Sequence, residues 1–73
     1  MSKVNKDQLK ILTNLYDNGP QYVGHVLPGA GHSRLWNAIR ALLNEGYIVH
    51  TKSDPLSPVK ITPSGRSAMR DAL

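Results

Sequence analysis

The stretch SRLWNAIRALLNEG, residues 33–46, decides how this chain is organised. Its apolar residues are Leu35, Trp36, Ile39, Leu42 and Leu43. That i, i+1, i+4, i+7, i+8 spacing is one stripe of a 3.6-residue period, and a strand would require strict alternation. Ser33 is placed to cap the helix, its hydroxyl accepting from a free first-turn N–H. Gly46 stands where a left-handed residue closes a helix. The opposite face carries Ser33, Arg34, Asn37, Arg40, Ala41 and Asn44, with Glu45 at its edge. An apolar back and an arginine/asparagine front describe two things: an ordinary solvated helix, or a helix whose front enters a DNA groove.

Size and composition narrow the choice. With 73 residues the chain is expected to form one domain, residues 1–73. There is no cysteine, so disulfide frameworks and thiolate metal sites are excluded. No apolar run is long enough for a signal peptide or a membrane span, which predicts a cytoplasmic protein and no membrane partner. The formal net charge is +4, which favours anionic partners. From residue 34 onward the cations are Arg34, Arg40, Lys52, Lys60, Arg66 and Arg70, against Glu45, Asp54 and Asp71.

Working outward, Asn5 to Asp17 is a predicted helix. Asn5 and Gln8 form a variant of the capping box, and Leu9, Leu12, Leu15 and Tyr16 form its stripe. Asn18-Gly19-Pro20 ends it. Pro20 then suits the first position of a short second helix reaching Leu27, with Gly24 as a weakness. Residues 28–32, PGAGH, form a loop. Beyond Gly46 the period changes. Residues 47–51, YIVHT, and 59–62, VKIT, favour strands, joined across the turn chemistry of SDPLSP. Thr62-Pro63 opens a last helix with a capping hydroxyl and proline at its first position.

The run LLNEGYIVHTKSDPLSPVKITPSGR, residues 42–66, resembles the end of the recognition helix and the wing of bacterial winged-helix regulators of the MarR-like and PadR-like families. The pieces that carry the likeness are Leu42, Gly46, Tyr47-Ile48, Asp54-Pro55 and Ile61-Thr62-Pro63-Ser64-Gly65-Arg66. The resemblance implies an α+β, mostly α fold: a winged helix-turn-helix of three helices, a two-stranded antiparallel wing hairpin over 47–62 and a short C-terminal helix. It also implies a bacterial or phage transcriptional regulator that binds double-stranded DNA, with the 33–45 helix in the major groove. Against those families the sequence is expected to depart in three respects: the long flanking helices by which MarR-like proteins dimerise, a wing tip that has no arginine, and a Gly-rich loop at Pro28 to His32 in place of the usual tight turn.

On that frame, Arg34, Asn37 and Arg40 are the expected base contacts, because arginine pairs with guanine and asparagine with adenine in the major groove. Ser33, His32, Asn44, Lys52, Lys60 and Arg66 are expected at phosphates, with Arg66 equally suited to packing on the first helix. Trp36 belongs with the core rather than with base stacking. His25, His32 and His50 are too scattered, and too short of carboxylates, for a metal. Asp7, Asp17, Glu45, Asp54 and Asp71 fall on predicted exposed positions with no acid–base pair among them. No enzymatic activity and no cofactor are therefore expected. The Gly-rich PGAGHS lacks the spacing and the lysine of a nucleotide-binding loop. A homodimer is compatible with the fold and would place half-sites about one helical turn apart. Two further readings stay open. One is a winged-helix module that docks on a protein partner, as an inhibitor or assembly subunit. The other is a small-effector sensor near Tyr22 and Trp36.

Overall fold

The computed structural model describes residues 4–50 and 58–73. Helix α1 spans Lys6–Asn18, strand β1 Gln21–Tyr22, helix α2 His32–Asn44, strand β2 Ile48–His50, strand β3 Pro58–Ile61 and helix α3 Pro63–Ala72. The strands form an antiparallel sheet in the order β1-β3-β2. This is a winged helix arrangement, as the sequence implies. Two details differ: the hairpin gains a third strand, and the expected second helix is only a 3-10 turn at Val23–His25.

Local chemistry sets the element ends. At Asn5 the capping box closes in both directions: Gln8 N–H donates to Asn5 Oδ1 at 2.9 Å and Asn5 N–H to Gln8 Oε1 at 3.1 Å. Gly19, at φ 79°, ends α1 with its N–H on the Leu15 carbonyl. Gly46, at φ 74°, ends α2 in a Schellman motif, with Gly46 N–H donating to Leu43 O and Tyr47 N–H to Leu42 O. Thr62 caps α3 by accepting from Gly65 N–H at 3.0 Å. Its hydroxyl also donates to Gly46 O at 2.7 Å and its N–H to Tyr47 O at 3.0 Å, so one residue ties the start of α3 to the end of α2.

Residues 21–25 do not make a full helix because tertiary bonds compete for them. Gln21 pairs with Val59 and Tyr22 with Pro58 on the central strand. Asn14 of α1 fixes the same segment with its side chain. Its Nδ2 donates to His25 O and Val26 O, at 3.3 and 3.2 Å, and its Oδ1 accepts from Gln21 Nε2 at 2.8 Å.

The core is formed by Ile11, Leu12 and Leu15 of α1, Val23, Val26 and Leu27 of the turn segment, Leu35, Ala38, Ile39 and Leu42 of α2, and Ile48, Val59 and Met69. Trp36 packs half-buried against it, in agreement with its expected packing role, and Tyr47 does the same. Tyr16 and Tyr22 stay exposed, and Leu43 lies at the edge of the α2 stripe rather than inside it. Gly65 is buried where α3 crosses the backbone of Tyr47.

Candidate nucleic-acid interface

The exposed side of α2 is a single row. Ser33, Asn37, Arg40 and Asn44 are all exposed and follow one another at spacings of four, three and four, so they share one face. The buried Leu35, Ala38, Ile39 and Leu42 occupy the opposite face. Leu42 and Ile39 are fully buried in the core cluster that also holds Ile48 and the α1 residues, so the polar row is held outward by the burial behind it. It carries a hydroxyl, two amides and a guanidinium and no carboxylate. Such a row offers donors and acceptors without repelling phosphates.

Arg34 is not part of that row. It sits about 100° further round the helix than Ser33, on the flank that meets the first turn of α1. There it forms a two-pronged ion pair with Asp7, Nε donating to Oδ2 at 2.7 Å and Nη2 to Oδ1 at 2.6 Å. The arginine side chain is 57% exposed and the aspartate 23%. The hydrogen bonds from Arg34 are the main cause holding the Asp7 carboxyl below its ordinary 3.8, and the same bonds raise the guanidinium of Arg34. Arg34 and Asn37 line one shallow groove with Asn5, Asp7, Gln8 and Ala38. Asp7, expected as an exposed acid, is thus a partly sheltered partner of α2. The sequence gives no local signal for this, because the two residues are 27 apart.

The helix begins earlier than its sequence suggests. Gly31, extended at φ −68° and ψ 165°, is the N-cap, and its carbonyl accepts from Leu35 N–H at 2.9 Å. Ser33 is therefore the second residue of the helix and does not cap it, a correction to the expected role of its hydroxyl. Among the described residues no side chain caps this end of α2. The first-turn N–H groups and the positive end of the helix dipole are left for an anion. His32 is the first helical residue, exposed, with its ring centroid 6.2 Å from that of Trp36.

The remaining expected phosphate contacts lie elsewhere. Lys60 is exposed on β3 opposite Val49, on the outer face of the sheet. Arg66 is exposed at the start of α3. The two share a depression with Leu15, Tyr16, Gly19, Pro20 and Ile61, at the C-terminal end of α1. Asp7 and Tyr16 are nine residues apart on α1, so this depression is about 14 Å along the helix from the Arg34 groove. Arg66 is thus both exposed and set beside α1. Lys52 lies outside the described residues. Among the described residues no group of three potential ligands is placed to hold a metal, and no helix is long and apolar enough to cross a membrane.

The fold is matched by solved structures of regulators. The transcriptional regulator Tm0710 from Thermotoga maritima superposes with a TM-score of 0.79 at 25% identity, over 92% of this chain and 50% of that one. The PcaV transcriptional regulator from Streptomyces coelicolor, solved with its natural ligand, gives a TM-score of 0.79 at 19% identity, over 93% of this chain and 52% of that one. The chain thus spans about half the length of the regulators it is similar to. No family model and no curated protein matches it. The likeness is to the winged helix domain of transcriptional regulators, in agreement with the resemblance carried by residues 42–66.

Proposed function

We propose that this protein binds double-stranded DNA in a sequence-specific manner as a transcriptional regulator, with α2 in the major groove. The observation that carries the reading is the acid-free exposed row Ser33, Asn37, Arg40 and Asn44 on α2, in a fold similar to that of a solved transcriptional regulator. Asn37 and Arg40 read base edges, asparagine at adenine and arginine at guanine. Ser33, His32 and the uncapped first turn of α2 hold a phosphate, as helix N-termini do. Asn44 meets the backbone at the far end of the row. Lys60, with Lys52 beyond the described strand, adds contacts that position without reading sequence. The domain acts by binding rather than by catalysis, inside the cell that holds the DNA. A second copy would set two such helices about one turn of DNA apart.

A mobility-shift titration of the 73-residue chain against random duplex pools tests this. Affinity should fall steeply with salt, as counterions are released from each neutralised phosphate. A flat salt response sinks the reading.

One observation favours a second reading, docking on a protein. The outer face of the sheet exposes Tyr22 and Val49, at 51% and 46%, on either side of Lys60 and Pro58. An absence of binding to every duplex pool would move the function there.

A further inference from the structure

We propose that Asp7 is a positioning residue for DNA recognition: from α1 its carboxylate grips one edge of the Arg34 guanidinium, so that the other edge is presented in a fixed orientation to a guanine. This rests on the DNA-binding reading above and assigns a specificity device within it.

The donor count carries the inference. A guanidinium has five N–H donors in a planar fork. Asp7 takes two of them, one from Nε and one from Nη2. The remaining edge still offers both hydrogens of Nη1 and the second of Nη2. Guanine O6 and N7 in the major groove ask for two parallel donors of that kind. The exposures fit the geometry, since the acceptor is sheltered at 23% and the arginine stands out at 57%.

The anchor is rigid. Asp7 lies in the first turn of α1, whose start is locked by the reciprocal Asn5–Gln8 bonds. An arginine on the flank of α2, one residue off the exposed row, would otherwise sample many rotamers in solvent. Tethered, it keeps one direction, and it shares a groove with Asn37, the next reading residue. Among the described residues, the charges facing Asp7 are Arg34 itself and Lys10 and Lys6 on its own helix. A carboxylate placed at a DNA surface would repel phosphates; bound in this way it is compensated. The pair therefore adds discrimination and little bulk affinity.

This separates the device from a merely structural ion pair. The experiment is selection from a duplex library followed by affinity measurements on the selected site and its single-base variants. The proteins are the wild type, Asp7→Ala, Asp7→Asn, Arg34→Ala, the Asp7→Ala/Arg34→Ala double variant and Asp17→Ala. Asp17 is an exposed acid near the other end of α1, so its removal makes the same charge change without touching Arg34. A bidentate contact discriminates by about 5- to 150-fold between guanine and another base. Asp7→Ala should lose about tenfold of that preference at a single position, while its binding to random duplex does not weaken and matches that of Asp17→Ala. In the Arg34→Ala background, Asp7→Ala should change nothing at that position. Asp7→Asn keeps an acceptor for only one of the two bonds and should fall between wild type and Asp7→Ala, which also covers the case where the alanine variant folds poorly. Full guanine preference in both Asp7 variants would overturn the proposal and leave DNA binding standing. So would a loss at that position that persists without Arg34. Absence of salt-dependent binding by the wild type would remove the DNA reading and this inference together.

Discussion

Gly65→Ala should destabilise this domain even though it places a better helix former inside α3. In an open helix the change gains about 1 kcal/mol. Here a Cβ on residue 65 would collide with the carbonyl oxygen of Tyr47, and it would stand 2.9 Å from Ile61 Cγ1 and 3.0 Å from the Tyr47 carbonyl carbon. A side-chain tip could turn aside, but a backbone carbonyl cannot. That carbonyl also accepts the Thr62 N–H at 3.0 Å, so moving it disturbs the junction that caps α3. Overpacking of this kind costs about 1–3 kcal/mol, and more where backbone must shift. Because backbone must shift here, the cost lies in the upper part of that range, about 2–3 kcal/mol, and the helical gain of about 1 kcal/mol leaves a net loss of roughly 1–2 kcal/mol. For a domain of this size that is a fall in Tm of about 4–16 °C. Thermal unfolding followed by far-UV circular dichroism reads it directly. Gly24→Ala is the matched control, because nothing lies within 4 Å of a Cβ there and its φ is not positive. It should leave Tm within about 4 °C of wild type. A Gly65→Ala protein that melts at or above the wild-type temperature would refute the close approach of α3 to the Tyr47 backbone.

Three other outcomes are expected. Asn14→Ala removes the donor to His25 O and Val26 O and the acceptor for Gln21, and should cost about 1–3 kcal/mol in urea unfolding; an unchanged midpoint would mean the turn segment holds without it. Asn37→Ala should cost about 1–3 kcal/mol and relax the preference at one base pair, whereas Lys60→Ala should weaken all duplexes alike and lower the salt slope by about one; the two variants behaving identically in a duplex-binding panel would contradict their assigned roles. The Asp7 carboxyl should titrate below 3.8 by NMR, chiefly because Arg34 hydrogen-bonds it. A carboxyl whose folded value is depressed stabilises the fold above its unfolded value, and that stabilisation disappears as pH falls through the folded value. Arg34→Ala should move the Asp7 titration back up towards the ordinary value, and no movement would show that the ion pair is not held in solution.

What the chain states locally, the structure follows. Asn5 with Gln8, Gly19 before Pro20, Gly46 and Thr62-Pro63 each mark an element end with chemistry contained in a few neighbouring residues. The α2 stripe is equally legible, because a 3.6-residue period needs no distant partner to be recognised. Trouble starts where a remote strand or side chain decides. Residues 20–27 have a proline start and helical spacing, yet β3 takes Gln21 and Tyr22 and Asn14 takes the carbonyls that follow. Ser33 looks like a cap, but Gly31 starts the helix by its backbone alone, and a glycine in an extended conformation leaves no side-chain signature. Leu43 fits the apolar stripe in projection and still lies 36% exposed, since the core stops at Leu42 and Ile48.

The candidate interface divides along the same line. Asn37, Arg40 and Asn44 follow from the helix period, and the structure leaves them exposed as that period requires. Arg34 shares their composition but not their geometry. On a helical wheel it borders the polar face, and only α1, folded across it, determines whether it is a loose surface cation or an oriented fork. The distinction matters for recognition, because the number of arginines on a helix sets its attraction to phosphates, while the direction of each sets its choice of base. A loose Arg34 would add to affinity everywhere. Held at two points by Asp7, it has given up part of its charge to an internal partner and retains a single directed edge. Under the proposed DNA reading, a net charge of +4 supplies a modest attraction to any duplex, and a directed donor such as Arg34 would add discrimination between sites rather than retention on any site.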